Sequence, residues 1–216
     1  DKIKQLAKSY APDTVQVRRH IHANPELSFE EYNTAAYVKQ VLEKYGIVAE
    51  SMADTGLVAL IKGKNPDKKT IALRADLDAL PIVEANEVEY KSKNEGVMHA
   101  CGHDVHTASL LGAARILQDM REEFEGTIKL VFQPGEEKFP GGASIMIKEG
   151  VLQNPVPKGI VGQHVFPMLP AGKVGFKSGM YMASADEIYI TVKGKGGQAA
   201  LPDMDVDPVR VSARRS

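Results

Sequence analysis

The stretch Met98-His99-Ala100-Cys101-Gly102-His103-Asp104-Val105-His106 holds the chain's only cysteine and three of its six histidines within nine residues. A helical periodicity begins directly behind it. Leu110, Leu111, Ala114 and Leu117 recur at three- and four-residue spacing over 107–120, with Gly112-Ala113-Ala114 permitting close packing on a sheet. Cys101 and His103 therefore belong at or just before a helix N-terminus. The helix dipole there favours thiolate over thiol and is expected to lower the cysteine pKa. Soft and borderline ligands beside a carboxylate, Asp104, that can orient them point to a transition metal held by Cys101 and His103. For an isolated Cys-x-His, a buried cysteine beside loop histidines is the plainer reading, so a metal site needs further ligands from elsewhere in the chain.

The chain supplies carboxylates and a further imidazole, each at the end of a strand. Gly126-Thr127-Ile128-Lys129-Leu130-Val131-Phe132 reads as a strand running out into Gln133-Pro134-Gly135-Glu136-Glu137. Adjacent carboxylates repel, so Glu136 and Glu137 are costly in a site unless a cation balances them. One could ligate while its neighbour handles protons. A short apolar strand over 159–164 ends at His164 and is stopped by Pro167. The strands 56–61 and 70–73, separated by the turn formers of 62–67, deliver Arg74-Ala75-Asp76, with Asp78 a weaker candidate. In open α/β sheets, ligands bind at the carboxyl ends of strands.

The rest of the chain builds the body of that fold. Ile3, Leu6, Ala7 and Tyr10, then Val15, Val17 and Ile21, make 2–22 helical, with Asn24-Pro25 as its end. Residues 29–45 read as a second helix stopped by Gly46, and a short helix ends at Gly150. Residues 171–179 read as short strands separated by turns, and 186–194 alternates like a half-exposed strand. With 43% hydrophobic and 25% charged residues the chain can bury a core, and a net charge of −1 gives no purchase on nucleic acid or an acidic membrane. No apolar run reaches the roughly 18 residues of a membrane span. One cysteine fits a reducing compartment, with cytoplasm the default.

Read in order, Arg74-Ala-Asp-Leu-Asp-Ala-Leu-Pro81, His99-Ala-Cys-Gly-His-Asp104, Gln133-Pro-Gly-Glu-Glu137, Gly162-Gln-His164 and Gly194-Lys-Gly-Gly-Gln-Ala-Ala-Leu-Pro202 resemble the M20 metallopeptidase family. The nearest branch is that of aminoacylases, hippurate hydrolases and indole-acetyl-amino-acid hydrolases. The segment 18–28 is similar to the family's N-terminal signature, and His20 and His22 in it are read as structural or substrate-side.

The resemblance implies an α/β, zinc-exopeptidase-like catalytic domain with a central mixed sheet flanked by helices over 1–183. The start of a smaller α+β lid and dimerisation domain follows over 184–216. It implies two divalent metal ions, Zn²⁺ or Mn²⁺ with Co²⁺ or Ni²⁺ as alternatives, held by Cys101, His103, Glu137 and His164. Glu136 would be the general base, Asp76 and Asp104 would orient ligands, and His99 and His106 would not ligate. The implied reaction is hydrolysis of the amide bond of an N-acyl amino acid or small peptide by a homodimer. Arg74 stands, as in the aminoacylase-like branch, where the wider family has a ligating histidine. Two departures stand out. Gln198 stands where the family's lid carries an oxyanion-stabilising histidine. The resemblance also places a final histidine ligand beyond Ser216, so the chain is expected to be truncated and weakly active or inactive alone. Two other readings remain open: a non-catalytic metal-binding relative, and a hydrolase using Cys101 as nucleophile with His103 as base.

Overall fold

Runs such as Thr127-Ile-Lys-Leu-Val-Phe-Gln133 are rich in residues that fit a pleated, buried surface, and they form the middle of a five-stranded sheet. Its strands are β1 (Ala49–Met52), β2 (Gly56–Lys62), β3 (Thr70–Asp76), β4 (Thr127–Gln133) and β5 (Ile160–Gly162), in the spatial order β1-β2-β4-β3-β5. β3 is parallel to both β4 and β5, while β2 is antiparallel to β1 and β4. The sheet is therefore mixed, and β3, β4 and β5 bring their carboxyl ends to one edge. In the register, Asp76 lies opposite Gln133 and Arg74 opposite Gly162.

The computed structural model describes residues 1–182, 188–198, 200 and 205–213. The chain falls into two units, Asp1–Met168 and Leu169–Ser216. In the first, helices α1 (Lys2–Ala23), α2 (Tyr32–Lys44) and α3 (His103–Asp119) cover one face of the sheet. Val17 and Ile21 of α1, Val38 and Leu42 of α2, and Leu111 and Ala114 of α3 meet Leu57, Ile61, Leu130 and Phe132 in one core. Pro12 lies inside α1 without ending it. On the opposite face, α4 (Gly142–Lys148) adds Met146 to a smaller cluster with Ala53, Val131 and Val151.

Several elements differ from their sequence expectations. β1 is not expected from its residues: Ala-Glu-Ser-Met has little strand propensity, and only its pairing with β2 makes it one. α2 starts at Tyr32 rather than near Phe29, because Phe29 takes a positive φ of 67° and the Glu26 carboxylate accepts from the Asn33 and Thr34 amides at the helix start. The close approach expected of Gly112 on the sheet is instead to α1: a Cβ there would lie 3.0 Å from Thr14 Oγ1.

In the second unit the described residues contain α5 (Pro208–Ala213) and a single bridge between Lys195 and Val206. The strands expected over 171–179 are absent, and 188–194 carries no strand. Asp186, Glu187 and the expected domain boundary at Ser184 lie outside the described residues.

Candidate metal centre

Three carboxyl ends and one helix start converge on His103. It is the first residue of α3, preceded by Gly102 at φ 88°, and its ring is almost wholly buried. His103 Nδ1 lies 2.8 Å from the Asp78 carbonyl oxygen and 3.2 Å from Asp78 Oδ1. Both are acceptors, so Nδ1 carries the donated proton and the lone pair sits on Nε2. Nε2 has no hydrogen-bond partner, and neither does the buried Oε1 of Glu137, 3.8 Å away. Glu136 Oε2 lies at 3.9 Å and Asp76 Oδ2 at 3.6 Å from the same nitrogen.

Cys101 and His164 close the other side. Cys101 Sγ is 3.4 Å from His164 Nε2, and His164 Nδ1 donates to the Val165 carbonyl at 2.7 Å, which leaves Nε2 as the free acceptor. Ligating atoms of Cys101, His103 and His164 lie within 4.8 Å of one another, as do those of His103, Glu136 and Glu137. All five residues expected from the sequence to serve as ligands and base are thus brought together.

This donor set suits a divalent ion. Two buried, unpartnered atoms facing each other cost free energy unless something satisfies both, and thiolate, imidazole and carboxylate are the ligands zinc takes. Burial lowers the His103 pKa, but the hydrogen bond to Asp78 and the charges of Asp76, Asp78 and Glu137 raise it overall. The same field favours any cation at Nε2, so a proton and a metal compete for one lone pair.

The electrostatics reverse the expectation for Cys101. Burial and the nearby carboxylates of Glu137 and Glu136 push the thiol up to about 12. Without a bound cation Cys101 is a poor nucleophile, and its partner is His164 rather than His103, which counts against the cysteine-nucleophile reading. A coordinated metal would invert this and deprotonate the thiol. Glu136 is raised by burial and by Glu137.

The expected orienting role of Asp104 is corrected. Its side chain turns away from His103, with Oδ2 2.8 Å from His22 Nδ1 and 2.7 Å from Arg18 Nε. Asp78 holds His103 instead. It also accepts from the Ser28 hydroxyl at 2.6 Å and the Glu137 amide at 2.9 Å, tying the centre to the Glu136-Glu137 loop. The chain does carry a signal for this: Asp76 and Asp78 are two apart at a strand end, hence on one face. Asp76 accepts from His106 Nδ1 at 2.7 Å and from Arg74 Nη1 at 2.7 Å. Burial alone would raise its carboxyl, but those two partners hold it at about 2. Glu31, which no sequence motif singles out, is fully buried and accepts from the Gly135 amide at 2.7 Å and the Thr55 hydroxyl at 2.6 Å. His99 is buried with both ring nitrogens unpartnered. Gln198 is exposed in the second unit.

The fold and the cluster define an α/β domain carrying a Cys/His/Glu metal-type centre at its strand ends. Residues 72–214 match the model of Peptidase family M20/M25/M40, and the chain belongs to that family. It is 42% identical over 99% of its length to an N-acyl-L-amino acid amidohydrolase of Geobacillus stearothermophilus, covering 57% of that protein. It is 47% identical over 90% of its length to the IAA-amino acid hydrolase ILR1-like 5 of Arabidopsis thaliana, covering 44% of it. The crystal structure of the Bacillus subtilis YXEP protein, a dinuclear metal-binding peptidase of the M20 family, superposes with a TM-score of 0.75 at 43% identity. That match covers 80% of this chain and 48% of the other. The chain spans about half the length of the curated relatives it matches.

Proposed function

We propose that this chain carries most of a two-metal centre that hydrolyses the amide bond of N-acyl amino acids or small peptides. The observation that carries the reading is the pair of buried, unpartnered atoms, His103 Nε2 and Glu137 Oε1, facing each other beside Cys101 and His164. The names of the M20 relatives, among them an N-acyl-amino-acid amidohydrolase and a dinuclear metal-binding peptidase, support the reaction class.

Cys101, His103, Glu137 and His164 would hold the ions, Zn²⁺ or Mn²⁺ with Co²⁺ and Ni²⁺ compatible with the same ligands. Bound there, such ions lower the pKa of water and polarise a carbonyl. In the neutral ring Asp78 holds the proton of His103 on Nδ1, which puts the lone pair on Nε2 and aims it inward. Glu136, whose side chain is 41% exposed, faces open space from beside the ligands. Its raised pKa suits a group that accepts a proton from water and returns it to the departing amine. Gln198 can donate a hydrogen bond to a developing oxyanion but cannot bring a positive charge.

That substitution favours a second reading, a metal-binding relative without turnover. No helix among the described residues is long and apolar enough to cross a membrane. A homodimer in the cytoplasm is part of the same proposal.

The test is metal analysis before and after chelation, paired with hydrolysis of a panel of N-acetyl amino acids. Bound divalent metal and chelator-sensitive release of the amino acid are expected. Metal without turnover, unchanged by Gln198→His, would leave the second reading. No metal bound under any condition would remove both.

A further inference from the structure

We infer that His106 is a positioning residue that holds the His164 side chain at the metal centre through the backbone of Val165, an inference that rests on the metal-centre reading above. His106 lies one helical turn beyond His103 and is fully buried, with ligand-type atoms of Asp76, His103 and His106 within 4.8 Å of one another. Its two nitrogens are both engaged. Nδ1 lies 2.7 Å from Asp76 Oδ1, and Nε2 accepts the Val165 backbone N–H at 2.9 Å. An acceptor Nε2 and a carboxylate on Nδ1 leave one arrangement, the Nδ1–H tautomer. Asp76 enforces it, since it is itself held by Arg74 and its backbone carbonyl accepts from the Thr107 hydroxyl at 2.6 Å.

Val165 is the hub. Its N–H goes to His106, its carbonyl accepts from His164 Nδ1 at 2.7 Å, and its side chain lies against Gly102, where a Cβ would come within 2.3 Å of Val165 Cγ2. The ring of His164 thus hangs from the carbonyl of a residue whose N–H is itself held by His106, and the two ring centroids are 4.5 Å apart. Little else fixes this segment. β5, two residues upstream, is three residues long and exposed throughout, and the His164 side chain is exposed. A ligand on an exposed connection needs such a support if its Nε2 is to stay 3.4 Å from Cys101 Sγ. Partners behind metal ligands typically contribute 10–100-fold to affinity.

Two amides separate the two halves of the imidazole. In His106→Asn the side-chain amide can still donate to Asp76, but nothing reaches the Val165 N–H. In His106→Gln the carboxamide oxygen falls near the place of Nε2 and can accept from Val165, while the Asp76 bond is lost. Calorimetric titration of the metal-free protein with Zn²⁺ should show affinity about 10–100-fold weaker in His106→Asn and close to wild type in His106→Gln. The metal-free melting temperatures of the two variants should resemble each other. A purely structural histidine would instead lower both melting temperatures and leave the Asn and Gln affinities alike, and that result overturns the inference. Long-range ¹H–¹⁵N spectra of wild-type imidazoles provide a readout that needs no variant: His106 should appear as the Nδ1–H tautomer, and an Nε2–H tautomer overturns the inference too. Wild-type protein that binds no Zn²⁺ would remove the metal-centre reading and this inference together, whereas normal Zn²⁺ binding in His106→Asn removes the inference alone.

Discussion

Adjacent residues at the start of α3 point into two clusters of similar composition and opposite character. His103 faces Cys101, His164, Glu136 and Glu137, and its Nε2 is left without a partner. Asp104 faces His22, Arg18 and Glu84. There His22 Nδ1 meets Asp104 at 2.8 Å and Nε2 meets Glu84 at 2.9 Å, so both ring nitrogens are engaged. Glu84 also accepts from the Ser92 amide at 2.7 Å, and the Arg18 and Arg19 guanidiniums lie over the Tyr90 ring at 5.1 and 4.9 Å. Histidines and carboxylates alone do not distinguish a binding centre from a buttress. What distinguishes them is the imidazole: both nitrogens of His22 are spent on carboxylates, whereas His103 Nε2 is left facing Glu137 Oε1, and Asp104 Oδ1, although also unpartnered, faces no second ligand atom of that kind.

The comparison breaks if the two histidines behave alike. His103→Ala should weaken divalent-metal binding by more than the roughly 10–100-fold typical of an outer partner, measured by calorimetry on metal-free protein. His22→Asn should leave metal affinity within that range and lower the melting temperature instead. Next in size is Glu136→Gln. It should lower kcat for N-acyl amino acid hydrolysis by about 10²–10⁴-fold with bound metal unchanged by elemental analysis. Loss of metal along with turnover would make Glu136 a ligand rather than the proton carrier.

How far these clusters are legible in the sequence follows from chemistry and distance along the chain. Cys101, His103, Glu136, Glu137 and His164 are legible because each sits at the end of an apolar strand or the start of an apolar-periodic helix. Their types are also costly there without a cation. The buttress is not legible: His22 finds Asp104 82 positions away and Glu84 62 positions away, and nothing local in 18–28 marks the pairing. Asp104 misleads for a related reason. Neighbours on a helix point about 100° apart, so standing beside His103 in sequence places it on another face. The helices and the central strands follow from periodicity, whereas β1 exists only because Glu50 and Ser51 pair with Val58 and Leu57.

The buttress itself is sharpened by Glu84→Gln. Burial would raise the Glu84 carboxyl, but the His22 and Ser92 hydrogen bonds hold it at about 2, below its ordinary 4.5. The stability it adds is complete above pH 4.5 and disappears as pH falls toward 2. His22 is shifted the other way, raised above 6.5 chiefly by its hydrogen bond to Asp104, with burial opposing. Its share is present below pH 6.5 and disappears as pH rises through the folded value. The difference in unfolding free energy between wild type and Glu84→Gln, read from denaturant titrations at fixed temperature, should therefore be widest between pH 4.5 and 6.5, at roughly 2–3 kcal/mol, and should narrow on both sides. A gap that is flat with pH would mean that the two groups are not charged partners.

The smallest effect is the sharpest discriminator, because it concerns a histidine that belongs to neither cluster. His99 is two residues from Cys101 and 6.4 Å, ring to ring, from His22, but it shares in the bonding of neither. Both its nitrogens are buried without partners. Burial lowers its pKa to about 4, so it sits neutral at pH 7 and no charge is lost by replacing it. Removing a buried polar group that has no hydrogen bond, in favour of an apolar side chain of similar volume, is close to neutral or stabilising. His99→Met should accordingly change stability by no more than about 1 kcal/mol and leave Zn²⁺ affinity unchanged. If His99→Met instead lost metal, the ligand set would extend along the whole His-x-Cys-x-His run. If it lost several kcal/mol with metal binding intact, His99 would belong to the buttress. The expected silence of His99 means that an unpartnered lone pair marks the binding centre only where it faces a second ligand atom, as His103 Nε2 faces Glu137 Oε1.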